Sequence, residues 1–475
     1  MIAVPHGYMS QADYMSWRME EDPILRSTIV AIAVVDRDPD WSRFVDMMQR
    51  GTQRVPLFRR KAVTDPLGPA PPRWVDDPDF ELGWHLRRFR VPAGRSWDAV
   101  LDFARTAAMT AFDKERPLWE FTVLSGLDGG RAALVMKVHH SLTDGLGGMQ
   151  IAREIVDFTR EGAARDQPAD VVENAADAEN SPIGALGWYW DTAGSLTRGL
   201  PAALVRQGTQ WVRRPVGRLR SSAALLDSTM RFTRPVLTTL SPVMTERSTR
   251  RQVAALDIPL DALGGTAAAA ECSINDAFLA SVLLGMAGYH RLHGVEISEL
   301  RVTLPISLRT AHDPMGGNCI TLARFGLPVD IAEPRELMRH VHRIVEAWRN
   351  EPAVALSFGI AGAFNLLPAS ILGNMFKHVD FVASNVVGSP VPMFIAGSEV
   401  LRYYAFAPTL GSAFNVTLMS YVSHCCVGLH VDADAVPDLD IFTEAIADGF
   451  RKVLGWYPDA EERVVRRLRD TSGEF

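Results

Sequence analysis

The sequence predicts an α/β protein built as two layered halves around a linker. Three observations carry this reading. Apolar, β-branched runs alternate with helical patterns over the first 160 residues. A polar stretch, first acidic and then basic, interrupts them. The alternation resumes at Arg251 and continues through the second half.

In chain order, Thr28 to Val35 reads as a buried strand from its β-branched and apolar content. Trp41, Phe44, Val45 and Met48 recur at helical spacing. Leu57 to Val63 and His85 to Val91 are expected strands, separated by a proline- and glycine-rich loop from Asp65 to Pro72. Trp97, Val100, Leu101, Ala104 and Ala108 mark an amphipathic helix. Trp119 to Leu124 is expected to pair with Ala132 to His139 across a turn from Gly126 to Gly130. A helix from about Gly148 to Phe158 closes this half.

Six acidic residues between Glu161 and Ser181, among alanines, read as a solvated linker. Pro182 to Pro235 inverts the charge, with eight arginines, Arg213 and Arg214 among them, and Trp188, Trp190 and Trp211 interleaved. This basic stretch is read first as a helical connector with a charged face, and second as a contact for an anionic lipid surface or for phosphates. Beyond it, strands are expected at Val253–Ile258, Leu300–Ile306, Ile320–Leu327, Phe381–Val387, Val400–Phe406, Phe414–Val422 and Val427–Val431. Helices are expected at Ile274–Leu292, Pro334–Asn350 and Leu439–Trp456, and a short helix with a frayed tail after Asp459. Pro352 to Phe376 carries no charge, but prolines, glycines and asparagines interrupt it. Two short buried helices broken near Pro368 are preferred there over an interfacial segment or a membrane span.

Composition narrows the function. A hydrophobic share of 47% and a charged share of 22% are ordinary for a globular protein. A net charge of −7 argues against a nucleic-acid binder. The first 23 residues lack the features of a secretory signal, so a cytoplasmic setting is expected. Cys272, Cys319, Cys425 and Cys426 show no disulfide-framework or zinc-like spacing, so reduced thiols and no metal are expected.

The stretch that carries chemistry is Lys137-Val138-His139-His140-Ser141-Leu142-Thr143-Asp144-Gly145. A strand delivers two histidines to its end. Neighbouring strand residues face opposite sides, so only one histidine can face a substrate while the strand lasts. An imidazole suits a base that takes a proton from a hydroxyl near neutral pH. Asp144 lies within one helical turn of His140, and Gly145, Gly147 and Gly148 permit close approach or unusual dihedrals. A hydrogen-bonded core histidine pair is the competing reading.

The surrounding motifs resemble the bacterial wax ester synthase/acyl-CoA:diacylglycerol acyltransferase family. They are Ser10-Gln11-Ala12-Asp13, Pro117-Leu118-Trp119-Glu120, the histidine stretch, Ser273-Ile274-Asn275-Asp276-Ala277, Pro305-Ile306-Ser307-Leu308-Arg309 with Gly317-Asn318, and Ser384-Asn385-Val386-Val387-Gly388. The late Asn415-Val416-Thr417 and Val436-Pro437-Asp438 also fit. The resemblance implies two chloramphenicol acetyltransferase-like subdomains with a channel between them. The expected division is residues 1–160, a connector at 161–250, and residues 251–475.

It further implies that His140 is the general base, that a lipid alcohol attacks a long-chain acyl-CoA directly, and that no cofactor is needed. The alcohol would be diacylglycerol or a long-chain alcohol. Peripheral contact with the inner membrane or a lipid droplet would follow from such substrates. By the same resemblance His139 is structural, Asp144 orients the loop, with Arg309 as a candidate ion-pair partner, and Gly145 forms the motif turn. Asn275 is assigned either a supporting polar role at the site or a helix cap. Gly317 and Asn318 are read most simply as a turn. The sequence departs from the family pattern at Ser389, at Ala405-Phe406-Ala407-Pro408 and at Ala413-Phe414, which bears on the acceptor. Two other functions stay open: acylation of a polyketide or glycolipid hydroxyl or amine, and a weakly active homologue that coats neutral lipid.

Overall fold

A computed structural model describes residues 7–64, 71–92, 96–162, 236, 238–308, 317–351, 365, 373, 377–456 and 465–467. In the first half the elements run α1 (Gln11–Met19), β1 (Thr28–Val35), α2 (Trp41–Arg54), β2 (Arg60–Val63), β3 (Arg73–Asp76), α3 (Leu82–His85), β4 (Leu86–Arg90) and α4 (Ser96–Met109). They continue with β5 (Trp119–Ser125), β6 (Ala132–His139) and α5 (Gly145–Ile155). In the second half they run β7 (Arg251–Pro259), α6 (Leu260–Ala269), α7 (Ile274–Leu292), β8 (Glu299–Ser307), β9 (Ile320–Pro328) and α8 (Pro334–Arg349). The remainder are β10 (Phe381–Val386), β11 (Phe394–Ile395), β12 (Ser398–Phe406), β13 (Phe414–Tyr421), β14 (His424–Asp432), α9 (Leu439–Trp456) and β15 (Arg466–Arg467).

Two large sheets organise the chain. The first has the order β11-β12-β1-β6-β5-β4, and the second β15-β7-β14-β13-β10-β8-β9. Strands β11 and β12 thus come from late in the chain yet complete the first sheet, with β12 antiparallel to β1.

The alternation of β1 sorts its two faces. Val30, Ile32 and Val34 pack against α4 and reach Val253, Ala255 and Cys426 of the second sheet. Ile29, Ala31 and Ala33 face the other way, toward α2 and α5. A buried ion pair also joins the sheets, with Arg402 Nε of β12 donating to Asp257 Oδ2 of β7 at 2.7 Å. Helices α6 to α9 cover the second sheet and form the largest core. Within it α7 and α9 meet at glycines. A Cβ on Gly285 would lie 2.7 Å from the Ala445 carbonyl oxygen, and one on Gly449 would strike the Ser281 carbonyl oxygen.

Several expectations need correction. Pro56 starts a 3-10 turn at Pro56–Arg59, because its ring fixes φ near the helical value, so the strand expected from Leu57 begins only at Arg60. A short helix occupies Leu82–His85, and the following strand starts one residue later. Helix α5 begins at Gly145 rather than Gly148, since Asp144 caps it. Where a helix was expected after Asp459, Arg466–Arg467 pairs with β7 as a strand. Helices α1 and α6 were not foreseen. The loop at 65–70, the linker and basic stretch at 163–235, and most of 352–376 lie outside the described residues.

All four cysteines are free. Among the described residues no single helix is long and apolar enough to cross a membrane, and the apolar pair α6–α7 is bent by 97°.

The α7–α9 contact gives a stability test. Gly449→Ala forces backbone apart in a filled core and should lower the unfolding free energy by roughly 3 kcal/mol, read by urea denaturation.

Candidate active site

Leu134, Met136 and Val138 of β6 all line one cavity, and His140 continues that alternate series. The intervening His139 faces the opposite way, as strand geometry requires. It packs edge-on against Trp17 and Phe112. Its Nδ1 lies 2.7 Å from Ser141 Oγ, and its Nε2 lies 3.5 Å from Glu20 Oε1. Burial would raise the Glu20 carboxyl, but His139, the Ser27 N–H and Arg26 outweigh it and hold it below its usual range. The Ser27 carbonyl in turn accepts from the His140 N–H at 2.8 Å. His139 therefore sits in the packing that fixes the strand end.

The cavity has a volume of about 730 Å³ and draws its walls from both halves. Among the described residues, His140, Asp144 and Arg349 are its only ionisable lining residues apart from Tyr403. His140 is half-buried at the cavity wall, and desolvation pushes its pKa below the ordinary histidine value; its own carbonyl and Asp144 oppose that drop only in part. The surroundings thus favour the neutral imidazole. Its Nδ1 has no hydrogen-bond partner among the described residues.

Asp144 caps α5. Its Oδ1 accepts from the Gly147 N–H at 2.7 Å, and its Oδ2 accepts from the Cys319 N–H at 2.8 Å. Arg309, the proposed ion-pair partner, lies outside the described residues, as do Arg213 and Arg214. Gly145 has ordinary helical backbone. Its missing side chain admits Val386 of β10, whose Cγ2 a Cβ would approach to 2.7 Å. Positive φ is not needed at Gly145, Gly147 or Gly148, so close approach is the reason that stands for Gly145.

Gly317-Asn318-Cys319 is more than a turn. The Gly317 N–H donates to the Leu142 carbonyl at 2.8 Å, with Gly317 at φ +67°. The Asn318 N–H donates to Asp13 Oδ1 at 2.8 Å, and its side-chain amide donates to the His140 carbonyl at 2.9 Å. The Cys319 N–H reaches Asp144 as above. Three consecutive residues of the second half thus hold the histidine loop of the first. Asp13 was quoted only as part of a motif, without a role. It is fully enclosed, and burial pushes its carboxyl up to about 7, against hydrogen bonds from Ser10 and Asn318 that pull it down.

Asn275 lines the cavity at the start of α7. It is not the cap. Ser273 caps the helix in a reciprocal box with Asp276, leaving the Asn275 Nδ2 donor buried without a partner among the described residues. Ser384, Asn385 and Thr417 add polar groups to the same wall. No group of three His, Cys, Asp or Glu side chains among the described residues could hold a metal ion.

Comparison with known proteins settles the family. The wax ester synthase/diacylglycerol acyltransferase catalytic domain matches residues 9–278, and the C-terminal domain of the same family matches 316–453. The chain belongs to this family. A Mycobacterium tuberculosis protein named as a diacylglycerol O-acyltransferase is 32% identical, over 98% of this chain and 95% of the relative. A second protein of that organism, named likewise, is 25% identical over 93% of each chain. The solved wax ester synthase/diacylglycerol acyltransferase of Marinobacter aquaeolei shares the fold, with a TM-score of 0.63 at 18% identity over 94% of this chain and 98% of that one. The first condensation domain of the calcium-dependent antibiotic synthetase shares it too, with a TM-score of 0.62 at 16% identity over 98% and 100%. The expected chloramphenicol acetyltransferase-like fold is therefore present, and the protein is an acyltransferase.

Asp13 makes the brace sensitive to pH. Its folded pKa lies above the unfolded value near 3.8, so its contribution to stability is full below that value and is lost as pH rises to about 7. Asp13→Asn should flatten that part of the stability profile, measured by urea denaturation from pH 4 to 8.

Proposed function

We propose that the protein transfers a long-chain acyl group from acyl-CoA to a lipid alcohol, diacylglycerol or a long-chain alcohol. The observation that carries this is an imidazole, His140, whose neutral form burial favours and which ends a row of apolar side chains in one cavity. His140 takes the proton of the acceptor hydroxyl, and the oxygen attacks the thioester carbonyl. The carbon–sulfur bond breaks, the sulfur takes the proton back from the imidazolium, and ester and coenzyme A leave. Direct attack requires no acyl-enzyme and no cofactor. Asn275 Nδ2, a buried donor without a protein partner, stabilises the oxyanion of the tetrahedral intermediate. Asp144 and His139 position the loop, Gly145 lets it approach β10, and Arg349, which also lines the cavity, offers a cation to coenzyme phosphates.

A lipid coat protein has no use for such a base. The two sheets leave an apolar cavity that a lipid chain fits, which favours lipid acceptors over a polar polyketide or glycolipid.

The direct test is thiol release from tetradecanoyl- or palmitoyl-CoA with diacylglycerol or hexadecanol as acceptor. His140→Ala should lower the rate by roughly 10²–10⁴-fold, the range for a lost general base. Unchanged release in that variant would remove His140 from the mechanism. Because burial lowers the His140 pKa, the acid limb of kcat/KM should fall below pH 6.5. Asn275→Ala should lower kcat by about 10²-fold, as for a lost oxyanion donor, with little change in KM.

A further inference from the structure

The cavity extends past His140 into an apolar arm inside the first half, between the sheet and helices α2 and α5. Strand register defines its floor. Ala31 on β1 lies between Met136 on β6 and Ala405 on β12, and Ala33 lies between Leu134 and Tyr403. All six residues line the cavity. Past Ile29 at the mouth the middle strand presents only alanines, with Met136 and Leu134 along one side and Tyr403 beside Ala33 on the other, so the floor is recessed there.

Two independent measures give its length. From Thr28, level with His139, to Ala33 is five strand steps, about 17 Å at ~3.4 Å each. Along the roof, Gly145 to Ile155 is ten helical steps, about 15 Å at ~1.5 Å each. Ile155 sits at the far end, wedged against Gly51 of α2, where a Cβ would lie 2.9 Å from Ile155 Cγ1. A zigzag hydrocarbon with bonds of ~1.52 Å at tetrahedral angles advances about 1.25 Å per carbon, so the arm holds about 12–14 carbons.

We propose that this trough is a length gauge for a single unbranched acyl chain of the thioester, with Ala31 and Ala33 setting its depth and the Ile155–Gly51 contact its end stop. The proposal rests on the acyl-transfer reading above. The single alanine row on β1 suits one chain better than the two that diacylglycerol brings. The charged coenzyme does not follow into an apolar arm, because desolvating its phosphates there is too costly. The thioester carbonyl is thereby held at the mouth, beside His140.

The test is a chain-length profile with acyl-CoA from 8 to 20 carbons and a fixed acceptor. Ala33→Leu should lower the kcat/KM ratio of tetradecanoyl- to octanoyl-CoA by about tenfold or more, the scale for methylenes excluded from a pocket. Ala31→Leu, nearer the mouth, should also penalise dodecanoyl-CoA. Gly51→Ala lies outside the trough but pushes Ile155 inward, and should act in the same direction as Ala33→Leu. Ile155→Ala should move the optimum to longer chains, a gain that misfolding does not produce. An unchanged profile in all four variants overturns the gauge, as does a shift in alcohol length instead of acyl length. Displacement of a fluorescent fatty acid by plain fatty acids of 8 to 20 carbons needs no turnover. Length-dependent binding that shifts in the variants, with no thiol release from any acceptor, would support the gauge and refute acyl transfer. Unshifted binding with intact thiol release would refute the gauge alone.

Discussion

Buried backbone N–H groups must find acceptors, and at the junction of the two sheets this requirement positions the histidine. Gly317, Asn318 and Cys319 each direct an N–H at the first half, and the acceptors they find are Leu142, Asp13 and Asp144. Each of those flanks or supports the loop that carries His140. The Asn318 side chain adds a bond to the His140 carbonyl itself. Loss of one such bond leaves a buried donor unpaired, which costs about 1–3 kcal/mol. Loop position and junction packing are therefore one property. A carboxylate that serves as both helix cap and junction acceptor, as Asp144 does, ties the turn after the histidine to the same network.

The same junction explains the electrostatics of the site. Asp144 accepts from two backbone N–H groups, and its charge opposes the drop in the imidazole pKa only in part. Desolvation then dominates and favours the neutral form of His140, the form that the proposed proton abstraction uses. His139 resolves the other half of the doubled histidine. Buried against aromatic rings and beside Glu20, it stiffens the strand end without entering the cavity.

Much of this was legible in the residues. Strand β1 and helix α7 lie where apolar content and periodicity put them, and alternation along β6 separated the two histidines before any coordinates. Local pattern failed where the cause is non-local. Nothing in Val400–Phe406 says that it will pair with β1 in the first sheet rather than with its sequence neighbours in the second. Gly317-Asn318 looks like a turn because turn residues and loop-bracing residues are the same types, and only the partner tells them apart. Asp13 carried no signal of its own, since a carboxyl in an amphipathic helix is ordinary until another segment buries it. Alternate alanines in β1 were visible, but their meaning needed the register with Met136, Ala405 and Tyr403.

Strand β12 also sets a timetable for synthesis. β1 can pair with β6 early, but its other edge waits for β12, about 370 residues later. At roughly 5–20 residues per second, the interval is on the order of 20–75 s. Throughout it, the run from Thr28 to Val35 presents an unpaired apolar edge, the kind of surface on which nascent chains associate. The first half of the chain begins the fold and is among the last parts to be completed. In a growing polypeptide, its most exposed hazard is the strand that will later floor the cavity.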